Sequence, residues 1–178
     1  MYLEKLKESF DIEQLIFEVN HLIDIHSLYH NQLSLNHRHG FENEQWFDGC
    51  GSPYIKDGTT EGAPRFIDTD FNILNAGLES TEIGNVYNTF KDLYKLGRYR
   101  IVCLKPKSCY GWHKDLEKRI QIPVITNPGS FIITEGARAS HLPATGEAWL
   151  FDANDCYHTA LNSSYNQTRI HLLLNIWS

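Results

Sequence analysis

From Arg98 onward the chain breaks into six strand-length runs: Tyr99–Lys105, Arg119–Thr126, Ser130–Thr134, Glu147–Asp152, Cys156–Leu161 and Thr168–Trp177. Turn signals separate several of them, namely Asn127-Pro-Gly, Pro143–Gly146, Ala153-Asn-Asp155 and Asn162–Asn166. Short strands at such spacing cannot bury their apolar sides singly. They close on each other as a sandwich or a barrel. This rhythm constrains the fold more than any other feature of the chain.

The first half reads differently. Ile12, Leu15, Ile16, Val19, Leu22 and Ile23 form one helical stripe over 11–23, with Asp11 as the expected N-cap and Gln14 at the capping-box position. A second helix is expected from about Glu82 to Leu96. Ile83, Val86, Tyr87, Phe90, Leu93 and Tyr94 form its apolar face, Thr81 is its cap and Gly97 its terminating C′ residue. Residues 31–39 alternate at first, as a short strand would. Residues 40–80 are rich in Gly, Asn, Asp, Thr and Pro and read as a long loop region, which often carries function.

At 178 residues the expectation is a single domain over 1–178. Within it, 1–97 would be a helical and loop-rich flank and 98–178 a β core carrying the site. A formal charge of -6 disfavours a nucleic-acid backbone as partner. No run approaches membrane-spanning length, and the N-terminus lacks the apolar core of a signal peptide. Cys50, Cys103, Cys109 and Cys156 show no CxxC spacing and read as free thiols in a reducing cytoplasm.

The strand-rich half carries His113-Lys114-Asp115, then His158, then Arg169 eleven positions later. Residues i and i+2 of a strand share a face, so His113 and Asp115 can reach one ion, with His158 from a neighbouring strand. Two imidazoles and one carboxylate on one side of a metal form the ligand set of non-haem Fe(II) oxygenases. A zinc hydrolase could use the same residue types, but the usual HExxH is absent. Arg169 supplies a fixed guanidinium for the far carboxylate of 2-oxoglutarate. Arg119, six residues after His113, could reach the same cosubstrate or the substrate. Trp112 and Trp149 read as core or pocket-lining aromatics, and His171 shares a strand face with Arg169. Of the five histidines between His21 and His39, the His37-Arg38-His39 pair reads as solvated loop.

The run RYRIVCLKP…GWHKD…RIQIPVITNPGSF…GEAWLFDANDCYHTALNSS…RIHLLLNIW resembles the 2-oxoglutarate/Fe(II)-dependent dioxygenases, over about residues 85–177. Within them it looks most like the aspartyl/asparaginyl β-hydroxylase-like branch, which also includes proline hydroxylases. The resemblance implies a mainly β fold, a double-stranded β-helix (jelly-roll, cupin-like) core with flanking helices. It implies Fe(II) on His113, Asp115 and His158, with 2-oxoglutarate as cosubstrate and O2 as oxidant. Arg169 would bind the far carboxylate, and Arg119 could approach the near one. The substrate it implies is an amino acid, free or in a peptide, with proline, aspartate and asparagine as candidates. Asp115 departs from the aspartyl hydroxylases, which lack the acidic ligand, and Gln121 stands where many relatives carry histidine. Asn175 stands where nucleic-acid dealkylases carry a second arginine. An oxygenase on another small metabolite and a non-catalytic cupin-like binding module are the alternatives. The expected partners are small molecules or a peptide, without nucleic acid or membrane; nothing in the sequence sets an oligomeric state.

Overall fold

The computed structural model describes residues 2–53, 64–136 and 139–177. The strands are β1 (Leu3–Ser9), β2 (Gln32–Ser34), β3 (Asn36–His37), β4 (Ile73–Leu74), β5 (Lys95–Leu104), β6 (Ser108–Cys109), β7 (Lys118–Ile125), β8 (Ser130–Thr134), β9 (Ala139–Ser140), β10 (Glu147–Phe151), β11 (His158–Asn162) and β12 (Arg169–Trp177). The helices are α1 (Ile12–Ile25) and α2 (Glu82–Lys91).

One sheet has the order β1-β10-β7-β12-β5-β2 and a second β6-β11-β8-β9, with every pairing antiparallel. From β5 to β12 the chain passes back and forth between the two sheets, turning within one of them only at β8–β9. The central order β10-β7-β12-β5 against β6-β11-β8-β9 is that of two interlocked Greek keys, a jelly roll. The expected fold class is therefore present.

Period-two alternation then sorts the larger sheet into two unlike faces. Tyr99, Ile101, Ile120, Ile122, Val124, Leu172, Leu174 and Ile176 share one apolar cluster with Leu15, Val19 and Leu22 of α1 and Ile83, Val86 and Phe90 of α2. Each such side chain contributes about 1.5–3 kcal/mol on full burial, so this outer layer holds the helices on the sheet. The alternate residues are polar yet equally buried at Arg98, Arg100, Gln121, Arg169, His171 and Asn175, with Arg119 partly buried. Phe151 of β10 packs edge-on against His158 of β11 at 4.7 Å, so this second face looks toward the smaller sheet. The barrel interior is thus the charged side.

Several local expectations change. Asp11 caps α1 by accepting from the backbone of Glu13 and Gln14. The Gln14 side chain does not close a capping box, because Glu82 Oε1 takes the Asp11 N–H and Gln14 donates to Glu18 instead. Helix α2 stops at Lys91, and Leu93 is exposed. Gly97 is no helix terminator: it lies within β5, where an added Cβ would stand 1.7 Å from Asp68 Oδ2. Its need for glycine is the close approach of that carboxylate.

The start of the chain, β1, pairs with β10, and the Lys5–Glu147 ion pair accompanies that register. Its alternation is masked by charged residues on the exposed side. The 40–80 region is largely irregular, as expected, apart from β4 and two 3-10 turns; part of it, 54–63, lies outside the described residues. His37 is buried on β3 with Nδ1 2.8 Å from Asn75 Oδ1, so only His39 of that pair fits the solvated-loop expectation.

Candidate metal centre

His113 and Asp115 do not lie on a regular strand. They sit on an irregular segment after β6, pinned by reciprocal backbone hydrogen bonds between His113 and His158 of 3.1 and 2.8 Å. The Asp115 N–H adds a bond to Ala153 O at 3.1 Å. These bonds replace the strand register that the i, i+2 spacing suggested, and they bring the three side chains together. One donor atom from each of His113, Asp115 and His158 lies within 4.8 Å of the others.

The donor set is arranged as a metal would require. His113 Nδ1 is 2.7 Å from Gly111 O, and His158 Nδ1 is 3.2 Å from Cys156 O. A proton on each Nδ1 leaves each Nε2 lone pair free, which is how backbone carbonyls fix the ligating tautomer. Both Nε2 atoms face the carboxylate, at 3.7 Å from Asp115 Oδ1 for His113 and 3.3 Å from Oδ2 for His158. Oδ2 is buried and has no hydrogen-bond partner. An orphaned carboxylate oxygen beside two imidazole nitrogens fits a divalent cation.

The electrostatics agree. Burial lowers the His113 pKa, keeping the imidazole neutral. Burial would raise Asp115, but Arg119 and the two histidines outweigh it and hold the carboxyl below its ordinary value. Arg119 Nη2 lies 2.5 Å from Asp115 Oδ1 and 3.3 Å from Glu117 Oε1. The arginine grips one carboxylate oxygen and leaves the other open. Burial raises the Glu117 pKa.

Arg169 lies in the same interior, 5% exposed, with Nη2 3.0 Å from His171 Nδ1. Among the described residues no carboxylate pairs with it. Burial pushes its pKa down to about 10, and that of His171 well below the usual histidine value. His171 is thus a neutral acceptor for the guanidinium, and its Nδ1 also lies 3.2 Å from Gln121 Oε1.

Residues outside the expected site set complete this interior. Arg98 pairs with Asp68 at 2.7 Å, and Asn175 and Trp177 donate to the same carboxylate. Arg100 reaches Gln32 and Asn175. The available signal was Arg98-Tyr99-Arg100, two charges alternating with apolar residues on one strand. Trp112 is exposed rather than part of a core. Two surface depressions of about 450 and 420 Å³ flank α1 and the start of α2, and neither includes a residue of the metal cluster.

No protein-family model matches the sequence, and a search of curated proteins finds no match. Solved structures similar over part of their chains include the following three. The DMSP lyase DddQ from Ruegeria pomeroyi DSS-3 has a TM-score of 0.37 and 14% identity, over 46% of this chain and 38% of that one. A 2OG-Fe(II) oxygenase family oxidoreductase from Burkholderia pseudomallei gives 0.38 and 19%, over 45% and 43%. A Cupin 2 conserved barrel domain protein from Salinispora arenicola CNS-205 gives 0.34 and 18%, over 46% and 62%. The chain therefore spans less than two thirds of each. The fold assignment rests on the strand order, which gives the jelly roll without them.

Proposed function

We propose that the chain is a 2-oxoglutarate- and Fe(II)-dependent oxygenase that hydroxylates an amino acid, free or in a peptide. One observation carries the reading. The two free Nε2 atoms and the orphaned Asp115 Oδ2 converge in the same barrel interior as Arg169, a buried guanidinium without a carboxylate partner among the described residues. A metal site alone would fit many activities; a metal site with an uncompensated arginine fits a dianionic organic acid bridging the two.

Fe(II) with 2-oxoglutarate and O2 supplies oxidative decarboxylation coupled to oxygenation of a C–H bond. The chain's own part is to hold, orient and exclude water. His113 and His158 donate through Nε2, locked by their Nδ1–H bonds to backbone carbonyls. Asp115 donates through Oδ2 while Arg119 keeps it ionised and fixed. Arg169 receives the far carboxylate, with His171 holding the guanidinium in place. Phe151 walls His158 on one side.

The amino-acid substrate follows from the resemblance to the aspartyl/asparaginyl hydroxylase-like branch, and the four free cysteines agree with a reducing cytoplasm. Among the described residues no helix is long and apolar enough to cross a membrane. The partners proposed are small molecules or a peptide, with neither nucleic acid nor membrane. The test is succinate formation from 2-oxoglutarate with Fe(II). It is expected in the native chain and lost in His113→Ala. Arg169→Ala should raise the 2-oxoglutarate requirement by tenfold or more. Metal binding without any succinate formation would instead mark a non-catalytic module.

A further inference from the structure

We infer that Arg100 is the docking group for a carboxylate on the substrate, so that the substrate class is one that carries a free carboxylate. The inference rests on the oxygenase reading above. It comes from comparing four arginines of the barrel interior, Arg98, Arg100 and Arg169, which are buried, and Arg119, which is partly buried. Arg98 has Asp68, and Arg119 has Asp115 and Glu117. Arg169 is assigned to the cosubstrate. Arg100 is 3% exposed and, among the described residues, donates only to two neutral amide oxygens, Gln32 Oε1 at 3.1 Å and Asn175 Oδ1 at 3.2 Å. Its Nε–H is buried and has no acceptor. An arginine's Nε–H and a neighbouring Nη–H form a fork that matches the two oxygens of a carboxylate.

The charge balance points the same way. Those four arginines face three carboxylates, Asp68 and Glu117, which are buried, and Asp115, which is partly buried. A divalent metal and a dianionic cosubstrate cancel each other, which leaves one positive charge uncompensated when the three carboxylates are ionised. Burial, with Arg98 and Arg119 nearby, pushes the Arg100 pKa down to about 9, so it remains charged at neutral pH and gains from an added anion. A substrate without a carboxylate would leave that guanidinium buried without a counter-charge.

Its position suits a substrate contact. Asn175, which accepts from Arg100, is the register partner of Arg119, whose guanidinium grips the metal-facing carboxylate. On its other side Gln32 also accepts from the Gly51 N–H, so Arg100 lies between the metal-side network and the Gly49–Gly51 turn of the long loop region.

The test uses the full chain loaded with Mn(II), which allows binding without turnover. Acetate, free α-amino acids and the matching α-amides are titrated with and without 2-oxoglutarate, reading the melting temperature. Carboxylate members are expected to raise it in the native chain, and the amides are not. In Arg100→Gln the carboxylate half-saturation should rise by tenfold or more beyond any change for 2-oxoglutarate, with Arg100→Lys intermediate. Amides binding as well as carboxylates, no carboxylate binding, or equal losses of carboxylate and 2-oxoglutarate binding would overturn the assignment. If the glutamine variant does not fold, the lysine variant is judged by the same ratio. Failure of the oxygenase reading appears separately, as no 2-oxoglutarate effect in the native chain, because the carboxylates are also titrated with Mn(II) alone.

Discussion

Arg119 Nη2 stands 2.5 Å from Asp115 Oδ1, on the side of the carboxylate away from the oxygen that has no partner. The arginine therefore leaves Oδ2 open, 3.3 Å from His158 Nε2. Arg119→Gln should weaken Mn(II) binding by roughly 10–100-fold, as loss of an orienting outer partner does. Electron paramagnetic resonance of free Mn(II) measures this directly. Unchanged affinity would show that Asp115 is held by its backbone alone.

Metal binding should also stabilise the fold, because the three ligands converge only in the folded chain. At about a hundredfold excess of Mn(II) over its dissociation constant the gain is about 2.7 kcal/mol. Thermal or urea unfolding should show it in the native chain and lose it in His158→Ala. A gain that persists in the variant would place the ion elsewhere.

Gly97→Ala should be severely destabilising although it adds one methyl group. The new Cβ would stand 1.7 Å from Asp68 Oδ2 and force that carboxylate off Arg98, Asn175 and Trp177. Breaking such a buried pair costs about 3–5 kcal/mol. A urea midpoint within experimental scatter of the native value would refute this.

Asp68 should contribute to acid unfolding. Burial alone would raise its pKa, but Arg98 and the Trp177 N–H outweigh it and hold the carboxyl below its ordinary value. The unfolded group titrates at about 3.9. A depressed folded pKa gives stability that is present above that value and is lost as pH falls through the folded one. Asp68→Asn should flatten the stability profile below about pH 4. An unchanged slope there would mean that other carboxyls, such as Asp115, carry the effect.

The thiols should divide by burial. Cys50, Cys103 and Cys156 are buried, and burial raises each to about 11, whereas Cys109 is exposed. Thiolate is the reactive form, so one thiol should react quickly with a disulfide reagent at neutral pH. Cys109→Ser should abolish that fast phase. A fast phase that survives would locate a breathing motion at a buried cysteine.

Much of the architecture was legible in the sequence because strand periodicity is local. Ser130–Thr134 is a strand with the bounds its alternation gave, and β7, β10, β11 and β12 differ from theirs by one or two residues. Where reading failed, a distant contact overrode a local signal. Gly97 follows an amphipathic run as a terminator would, yet it serves the approach of Asp68 from 29 residues away. Strand β1 has its exposed side filled with charge, so only its pairing with β10 reveals it. The spacing of His113 and Asp115 suggested a shared strand face, and the backbone bonds to His158 and Ala153 provide the convergence instead.

The sequence by itself determined the jelly-roll rhythm, the two helices and the residues able to bind a metal, since each rests on residue type and short-range periodicity. Only the tertiary structure decided which face of the larger sheet is apolar. The helices cover one face, so the arginines, being on the alternate positions, are driven together inside the barrel. There the question of which cation has a carboxylate and which lacks one arises between residues far apart in the chain. Arg98 and Arg119 have theirs; Arg100 and Arg169 do not, among the described residues, and no local pattern distinguishes them.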